Sequence, residues 1–284
     1  MKHPIRARSE AEIVTLYPQI FTKSWSQRLS AVVLAFGFAL FTIYCLMALG
    51  FFDFERIKTG FGKLFGVLRF MLPPASHGRT WIFVQAIFET LGMAFLGTLL
   101  AALASVPLGF LGAKNVIGNP IFHFGVRRFV DFLRGVDALI WALVWINVVG
   151  LGPFAGILAI AVSNTGELAK LFSEAIENID RKQMEGVRSA GANAIQTAVY
   201  AVWPQVFPVM LSNSLYYFES NTRSATILGI VGAGGIGLQL ADRIRVMAWD
   251  QVSLLIIMIL VTVYGIDFIS GRIRQRFINA PRSS

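Results

Sequence analysis

The stretch Glu185-Gly186-Val187-Arg188-Ser189-Ala190-Gly191 is polar and charged, and Pro204 follows its last glycine after thirteen positions. Its spacing is a glutamate followed by two small residues, three further residues, a glycine, nine residues, and an apolar-x-apolar-proline end. Strongly apolar segments lie on both sides of the stretch. A polar insert between such segments predicts a surface that a soluble partner grips.

The composition of the chain indicates a membrane protein. It has 284 residues, of which 55% are hydrophobic and only 14% charged, with a mean hydropathy of +0.64; a soluble domain carries about 25% charged residues. Residues 29–52 contain no charge, and about 20 apolar residues suffice to cross a bilayer core. We predict an all-α integral membrane protein with about six spanning helices, within residues 29–52, 81–113, 138–152, 153–166, 206–218 and 252–271.

The basic residues predict the orientation of these spans, because Lys and Arg concentrate in cytoplasmic loops. They cluster in the N-terminal segment, in the loops after the second and fourth spans, and in the tail. We therefore expect both termini in the cytoplasm. The predicted layout is a cytoplasmic segment 1–28, a first span 29–52, an external interfacial loop 53–80, a core domain 81–271 and a basic cytoplasmic tail 272–284, with a cytoplasmic insert at 180–204 inside the core.

Capping residues predict two short helices in the insert. Asp180 can cap the first helix, with Gln183 three residues on. Gly191 suits the end of that helix, since glycine adopts the left-handed conformation without steric cost. Asn193 and Gln196 can cap the second helix in the same way. The insert would then be a compact knob, with Pro204 starting the next span.

Three further stretches, together with the insert, carry a family resemblance. They are DALIWALVW at 137–145, VGLGPFAGIL at 149–158 continuing to GELAKLFSEAIENID at 166–180, and RSATILGIVGAGGIG at 223–237. With them the chain resembles the permease subunits of binding-protein-dependent ABC importers, and more narrowly the bacterial phosphonate-importer permeases. The resemblance covers roughly residues 80–271. It implies a permease fold like that of the methionine importers.

The resemblance also implies partners and a location. It implies a cytoplasmic ABC ATPase dimer, a periplasmic phosphonate-binding protein and a second permease subunit, in the bacterial inner membrane. ATP and magnesium would be bound by the ATPase and no cofactor by this chain, which would be a transporter subunit without catalytic residues of its own. The residues expected to couple to the ATPase are Glu185, Gly186, Val187, Gly191 and Pro204.

Polar and glycine residues near the membrane are candidates for the pore or its gate, since intramembrane polar groups are costly. The candidates are Glu89, Asn147, Asn164, Arg223, Gly232, Gly234, Gly235 and Gly237. We expect the four glycines to shape a tight turn at the external mouth. Their G-x-G-x-x-G pattern is not a dinucleotide fingerprint, because no strand precedes it. Arg223 is placed at the external end of the fifth span, and ion pairs are expected for Glu167–Lys170 and Arg134–Asp137.

Several other functions find little support in the sequence. Three separated histidines and the single Cys45 form no metal-ligand pattern, and there is no P-loop. Scattered basic residues argue against a nucleic-acid partner. Open alternatives are a permease for phosphate, phosphite or an amino acid such as methionine, a membrane enzyme acting on lipids, or a scaffold that transports nothing.

Overall fold

The computed structural model describes residues 25–116 and 119–278. Every regular element in these residues is helical, which confirms the all-α prediction. Residues 1–24 of the predicted N-terminal segment and 279–284 of the predicted tail lie outside the described residues, and the domain boundaries stay predictions. The chain divides into two compact units, residues 1–66 and 67–284. The division falls within the second helix.

The first unit contains α1 (Trp25–Ala48) and the beginning of α2 (Phe54–Phe70). α1 is a continuous apolar helix, long enough to cross a membrane. α2 comes after a short turn in which the Asp53 carboxylate accepts the Arg56 backbone N–H at 3.1 Å. Its helix occupies the predicted interfacial loop and has no buried residue.

The core of the second unit is built on two long helices, α3 (Thr80–Gly112) and α6 (Pro153–Glu177). Glycine residues, which carry no side chain, allow the backbones of these two helices to approach closely. A Cβ atom at Gly97 would lie 2.7 Å from Ile160, and one at Gly109 would lie 2.8 Å from Phe172. Small residues at such positions are the usual means of tight helix packing in membranes.

In sequence, α3 and α6 are separated by α4 (Pro120–Gly135) and α5 (Ala138–Val149). These two helices meet at a bend of 85°. The Asn119 side chain caps α4, and Asp137 caps α5 by accepting the Leu139 N–H at 2.8 Å. α5 has 12 residues, or about 18 Å of helix. It is too short to span the membrane alone, so residues 138–152 are at most half of a broken span.

The insert and the helices after it form the rest of the unit: α7 (Arg181–Ser189), α8 (Ala194–Thr197), α9 (Trp203–Leu228), α10 (Gly235–Arg245) and α11 (Trp249–Ile278). A π-helical turn, Ala198–Val202, joins α8 to α9. Pro204 is the second residue of α9, as predicted for a proline at a helix start, although the helical path continues into α9 from α8 through the π turn. Proline lacks an N–H and crowds the preceding turn, and a π turn is one way to absorb that defect inside a helix.

Four helical segments are long and apolar enough to cross a membrane: Leu29–Ala48, Thr80–Gly112, Ala194–Ala233 and Trp249–Gln275. The bent pair α4 and α5 makes a fifth if it counts as one span. By helix length and composition alone, the described residues thus contain four or five candidate spans, fewer than the six predicted. α6 is the difference: its 25 residues measure about 38 Å, but it carries Glu167, Lys170, Glu174 and Glu177.

Candidate functional site

The first helix of the insert is held by its caps. The Asp180 carboxylate accepts the backbone N–H of Lys182 at 2.9 Å, rather than pairing with Gln183. At the other end Gly191 has φ +88° and donates its N–H to the Arg188 carbonyl at 2.9 Å. Both predicted ends of α7 are confirmed, and only glycine takes that φ without strain.

The second helix begins with a complete capping box. The Asn193 side chain accepts the Gln196 N–H, and the Gln196 side chain accepts the Asn193 N–H, each at 2.9 Å. This confirms the predicted pair. Reciprocal caps satisfy two backbone donors that a helix start otherwise leaves unpaired.

The surface of α7 is open to a partner. None of its residues is buried, and Glu185 and Gly186 are exposed. A Cβ atom at Gly186 would meet nothing within 4 Å. Met184 and Val187 are half-buried and share the opposite face. The insert is thus a capped knob with a charged, small-residue face directed outward.

Two contacts tie the knob to the helical core. The Asp180 backbone N–H donates to the Gln205 side chain at 3.0 Å, which links the start of α7 to α9. The Trp203 ring stacks on Phe110 of α3, with centroids 6.5 Å apart, and also packs on Phe207. These contacts join the insert to both α3 and α9.

The predicted glycine turn lies between α9 and α10. Gly232, Gly234 and Gly235 all have positive φ, at +112°, +85° and +67°. A Cβ atom at Gly234 would lie 3.0 Å from Pro153, and one at Gly237 would collide with the Thr226 carbonyl oxygen. The four glycines are thus needed for backbone shape and close packing.

Helix α3 holds this turn through the N-terminus of α10. Glu89 accepts the Gly235 N–H at 3.1 Å, and Thr90 accepts the Ile236 N–H at 2.9 Å. The first N–H groups of a helix lack partners within it and carry partial positive charge. The only charge in the α3 span is therefore used to anchor the glycine turn.

The two candidate asparagines do not join this group. Asn164 on α6 is 5% exposed, and its amide nitrogen has no hydrogen-bond partner within the described residues. Asn147 on α5 is exposed and donates to its own helix, to the Leu143 carbonyl at 2.7 Å.

Arg223 does not lie at a helix end, contrary to the prediction. α9 continues five residues beyond it to Leu228, since residues 219–228 stay helical. Its guanidinium lies 3.4 Å from the carboxylate of Asp267 on α11. Nearer the end of α11, Arg274 forms an ion pair with Glu219.

Both ion pairs predicted from sequence spacing were wrong. Lys170 lies 3.8 Å from Glu174 instead of Glu167. Arg134 lies 3.8 Å from Asp131, while the carboxylate of Asp137 caps α5. A carboxylate at a helix start satisfies backbone donors, which a spacing rule for side-chain pairs ignores.

Sequence reasoning missed three contributors. Thr90 completes the anchor of α10, and Thr98 accepts the buried amide of Asn221 at 2.8 Å. Asp267 was missed although it is the only acidic residue between 251 and 278. That isolated charge in an apolar helix was the available signal. Among the described residues there is no group of three or more His, Cys, Asp or Glu suited to a metal.

Comparison with known proteins assigns the family. Residues 105–279 match the family described as binding-protein-dependent transport system inner membrane component. The match covers more than half of the chain, from the end of α3 through the knob and glycine turn to the end of α11. This chain belongs to that family. It is a multi-pass permease of the inner membrane, as its helices and the family resemblance predicted.

Two relatives of this permease are informative. The phosphite transport system permease protein of Stutzerimonas stutzeri is 34% identical over 259 residues, covering 90% of this chain and 92% of that protein. A protein of Escherichia coli strain K12, named for a cryptic phosphonate transport system permease, is 50% identical over 121 residues, covering 43% of this chain and 99% of that protein.

The permease also resembles a solved structure, that of the MetNI methionine ABC transporter in inward-facing conformations. The TM-score is 0.64 at 22% identity, covering 72% of this chain and 99% of that chain. At that identity the likeness concerns the fold alone, and it confirms the prediction of a methionine-importer-like permease fold.

Proposed function

We propose that this permease is the membrane subunit of an ATP-driven importer of phosphonates. The observation that carries the proposal is the 50% identity to the relative named for phosphonate transport, over 121 residues. The longer match to the phosphite permease points to the same chemical class, a small phosphorus oxyanion.

Phosphite is the second candidate cargo. The relative named for phosphite transport matches this chain over 90% of its length, more than twice the coverage of the phosphonate relative. The two cargoes differ in size, since a phosphonate carries an organic group where phosphite carries hydrogen. A panel of phosphorus sources separates them.

We further propose that the knob docks on a cytoplasmic ABC ATPase, which binds the ATP and magnesium. The exposed Glu185 offers a fixed charge, and Gly186 and Val187 keep the face small enough for a groove. A periplasmic phosphonate-binding protein would deliver the cargo, and a second permease subunit would complete the pore. Both termini would lie in the cytoplasm.

The geometry supports a mechanical role for the knob. From Ala194 to Val231 the chain is helical across the π turn, and the helical path is broken at Gly232. Closure of the ATPase dimer would move α7, and the Asp180–Gln205 hydrogen bond and the Trp203–Phe110 stack would carry that movement to α9 and α3. At the far end of this rod lies the glycine turn, whose displacement would open or close the external mouth.

Growth on defined phosphorus sources tests the cargo. A strain lacking this permease should fail to grow on methylphosphonate as sole phosphorus source, and should grow normally on phosphate. Restoring the wild-type chain should restore growth. If the strain failed to grow only on phosphite, phosphite would be the cargo. If a strain without this permease and without other phosphonate importers still took up labelled methylphosphonate at the wild-type rate, the proposal would be refuted.

A substitution in the knob tests coupling in the same strain. Glu185→Lys should leave the protein folded and in the membrane but abolish growth on methylphosphonate, because it reverses the charge of the docking face. Gln183→Lys, also exposed on α7, is the matched control for added positive charge. Full uptake by the Glu185→Lys variant would contradict the coupling role.

A further inference from the structure

Arg223 and Asp267 form an ion pair deep within the helical part of the permease. Asp267 lies 18 residues after Trp249, the first residue of α11, or about 27 Å along the helix. On α9, Asn221 lies two residues before Arg223 and bonds to Thr98 of α3. Thr98 is itself 18 residues after Thr80, so about 27 Å of helix separates it from the start of α3. Asp267 is also 11 residues, or about 17 Å, before Ile278, and Thr98 is 14 residues, or about 21 Å, before Gly112. The pair therefore lies well inside both helices rather than at an end of either.

The pair is also accessible, unlike most charges at such depth. Its side chains are 50% and 38% exposed on this protomer, and the two charged groups are 3.4 Å apart through a single guanidinium nitrogen. The neighbouring pair of similar chemistry, Arg274 and Glu219, is only 26% and 13% exposed. Charged groups in membrane helices face water-filled cavities or protein, because contact with hydrocarbon is costly.

The coordination of both groups is incomplete. The second carboxylate oxygen of Asp267 is buried and has no hydrogen-bond partner within the described residues. Arg223 uses one nitrogen of a group that can donate five hydrogen bonds in a planar fork. That fork matches two oxygens of a phosphorus oxyanion. The guanidinium of Arg223 can therefore donate hydrogen bonds to an anion, either in addition to its single contact with Asp267 or in place of it.

We propose that Arg223 is a transient binding site for the phosphorus oxyanion inside the translocation path, and that the anion displaces Asp267 as it passes. This inference rests on the proposed function. A lone arginine would retain an anion and hinder its release. A carboxylate that returns to the guanidinium competes with the anion, which keeps binding weak enough for transport and neutralises the site when it is empty.

Paired substitutions separate anion binding from a purely structural ion pair. The permease, its ATPase and its binding protein are reconstituted in vesicles, and uptake of methylphosphonate and ATP hydrolysis are both measured. Arg223→Gln should lower uptake at least tenfold while ATP hydrolysis stimulated by the loaded binding protein continues. Arg223→Lys, which keeps the charge, should recover part of the uptake.

The decisive variant is the double substitution Arg223→Gln with Asp267→Asn. It removes both charges, so it leaves no unpaired charge in the membrane and should melt within a few degrees of wild type. If Arg223 contacts the anion, uptake stays at least tenfold low. Uptake at the wild-type rate would show a structural pair and overturn the inference. Arg274→Lys is the control for changing an arginine between the same two helices, and should retain uptake.

Accessibility provides an independent test. In a Cys45→Ser background, the thiol of an Arg223→Cys variant should react with a charged, water-soluble thiol reagent. No reaction would place the residue against lipid or another subunit and overturn the inference. Absence of methylphosphonate uptake by the wild-type complex would instead refute the proposed cargo, so the two failures are distinguishable.

Discussion

Glu89 on α3 accepts the backbone N–H of Gly235 at 3.1 Å, which joins the only charge of that span to the first residue of α10. The two residues are 146 positions apart in sequence. Thr90 makes the adjacent contact to Ile236. Two hydrogen bonds from α3 therefore hold the glycine turn at the start of α10.

Removing this acceptor should destabilise the permease. Glu89→Ala leaves the Gly235 N–H without its partner, at a cost of about 1–3 kcal/mol in the free energy of unfolding. Glu89→Gln keeps an acceptor and loses only the favourable charge at a helix N-terminus, about 0.3–1 kcal/mol. Thermal unfolding of the purified protein in detergent should give a clearly lower melting temperature for alanine than for glutamine. An equal fall in melting temperature for the alanine and glutamine variants would contradict the anchoring role.

The glycine turn should tolerate no side chain at its most crowded position. In Gly237→Ala the new methyl group would collide with the Thr226 carbonyl oxygen, which belongs to backbone and cannot rotate away. We expect little folded protein in the membrane. Gly92→Ala is the matched control, because a Cβ atom there meets nothing within 4 Å and alanine favours helix by about 1 kcal/mol. Normal levels of folded Gly237→Ala would show that the turn can relax.

Local features of this fold could be predicted from sequence. The caps at Asp180 and Asn193 and the left-handed Gly191 each depend on a few neighbouring residues, and the structure has all three. The spans in residues 29–52 and 81–113 were equally clear, since apolar runs of that length with at most one charge are typical of membrane-spanning helices. The family resemblance rested on such local stretches as well.

Tertiary relationships could not be predicted in this way. The 85° bend between α4 and α5 falls at a Gly-Val-Asp sequence that hydropathy alone does not distinguish. Arg223 pairs across helices with Asp267, 44 residues away. Side-chain spacing within one helix gives no information on such partners. The predicted pairs failed because a local rule was applied where tertiary contacts decide.

A buried hydrogen bond between α3 and α9 should contribute measurably to stability. The amide of Asn221 donates to Thr98 at 2.8 Å, and these residues are 5% and 3% exposed. Thr98→Val and Asn221→Leu each leave one polar partner unpaired, whereas the double variant leaves neither. A double-mutant cycle on unfolding free energy should give a coupling of about 0.6–2 kcal/mol. A coupling near zero would show that water or another group replaces the bond.

The two glycines of the knob should respond in opposite ways to the same substitution. Gly191→Ala forces a Cβ atom into φ +88°, which costs about 1–2 kcal/mol. Gly186→Ala adds a methyl group in open space within a helix, which should stabilise α7 by about 0.5–1 kcal/mol.

Gly186→Trp then separates stability from docking: the protein should fold and reach the membrane, yet transport should fall because the bulky ring blocks the groove on the ATPase. Melting temperature, uptake and co-purification of the ATPase are measured for all three variants. Unimpaired uptake and co-purification by Gly186→Trp would show that this face of α7 is not the docking surface.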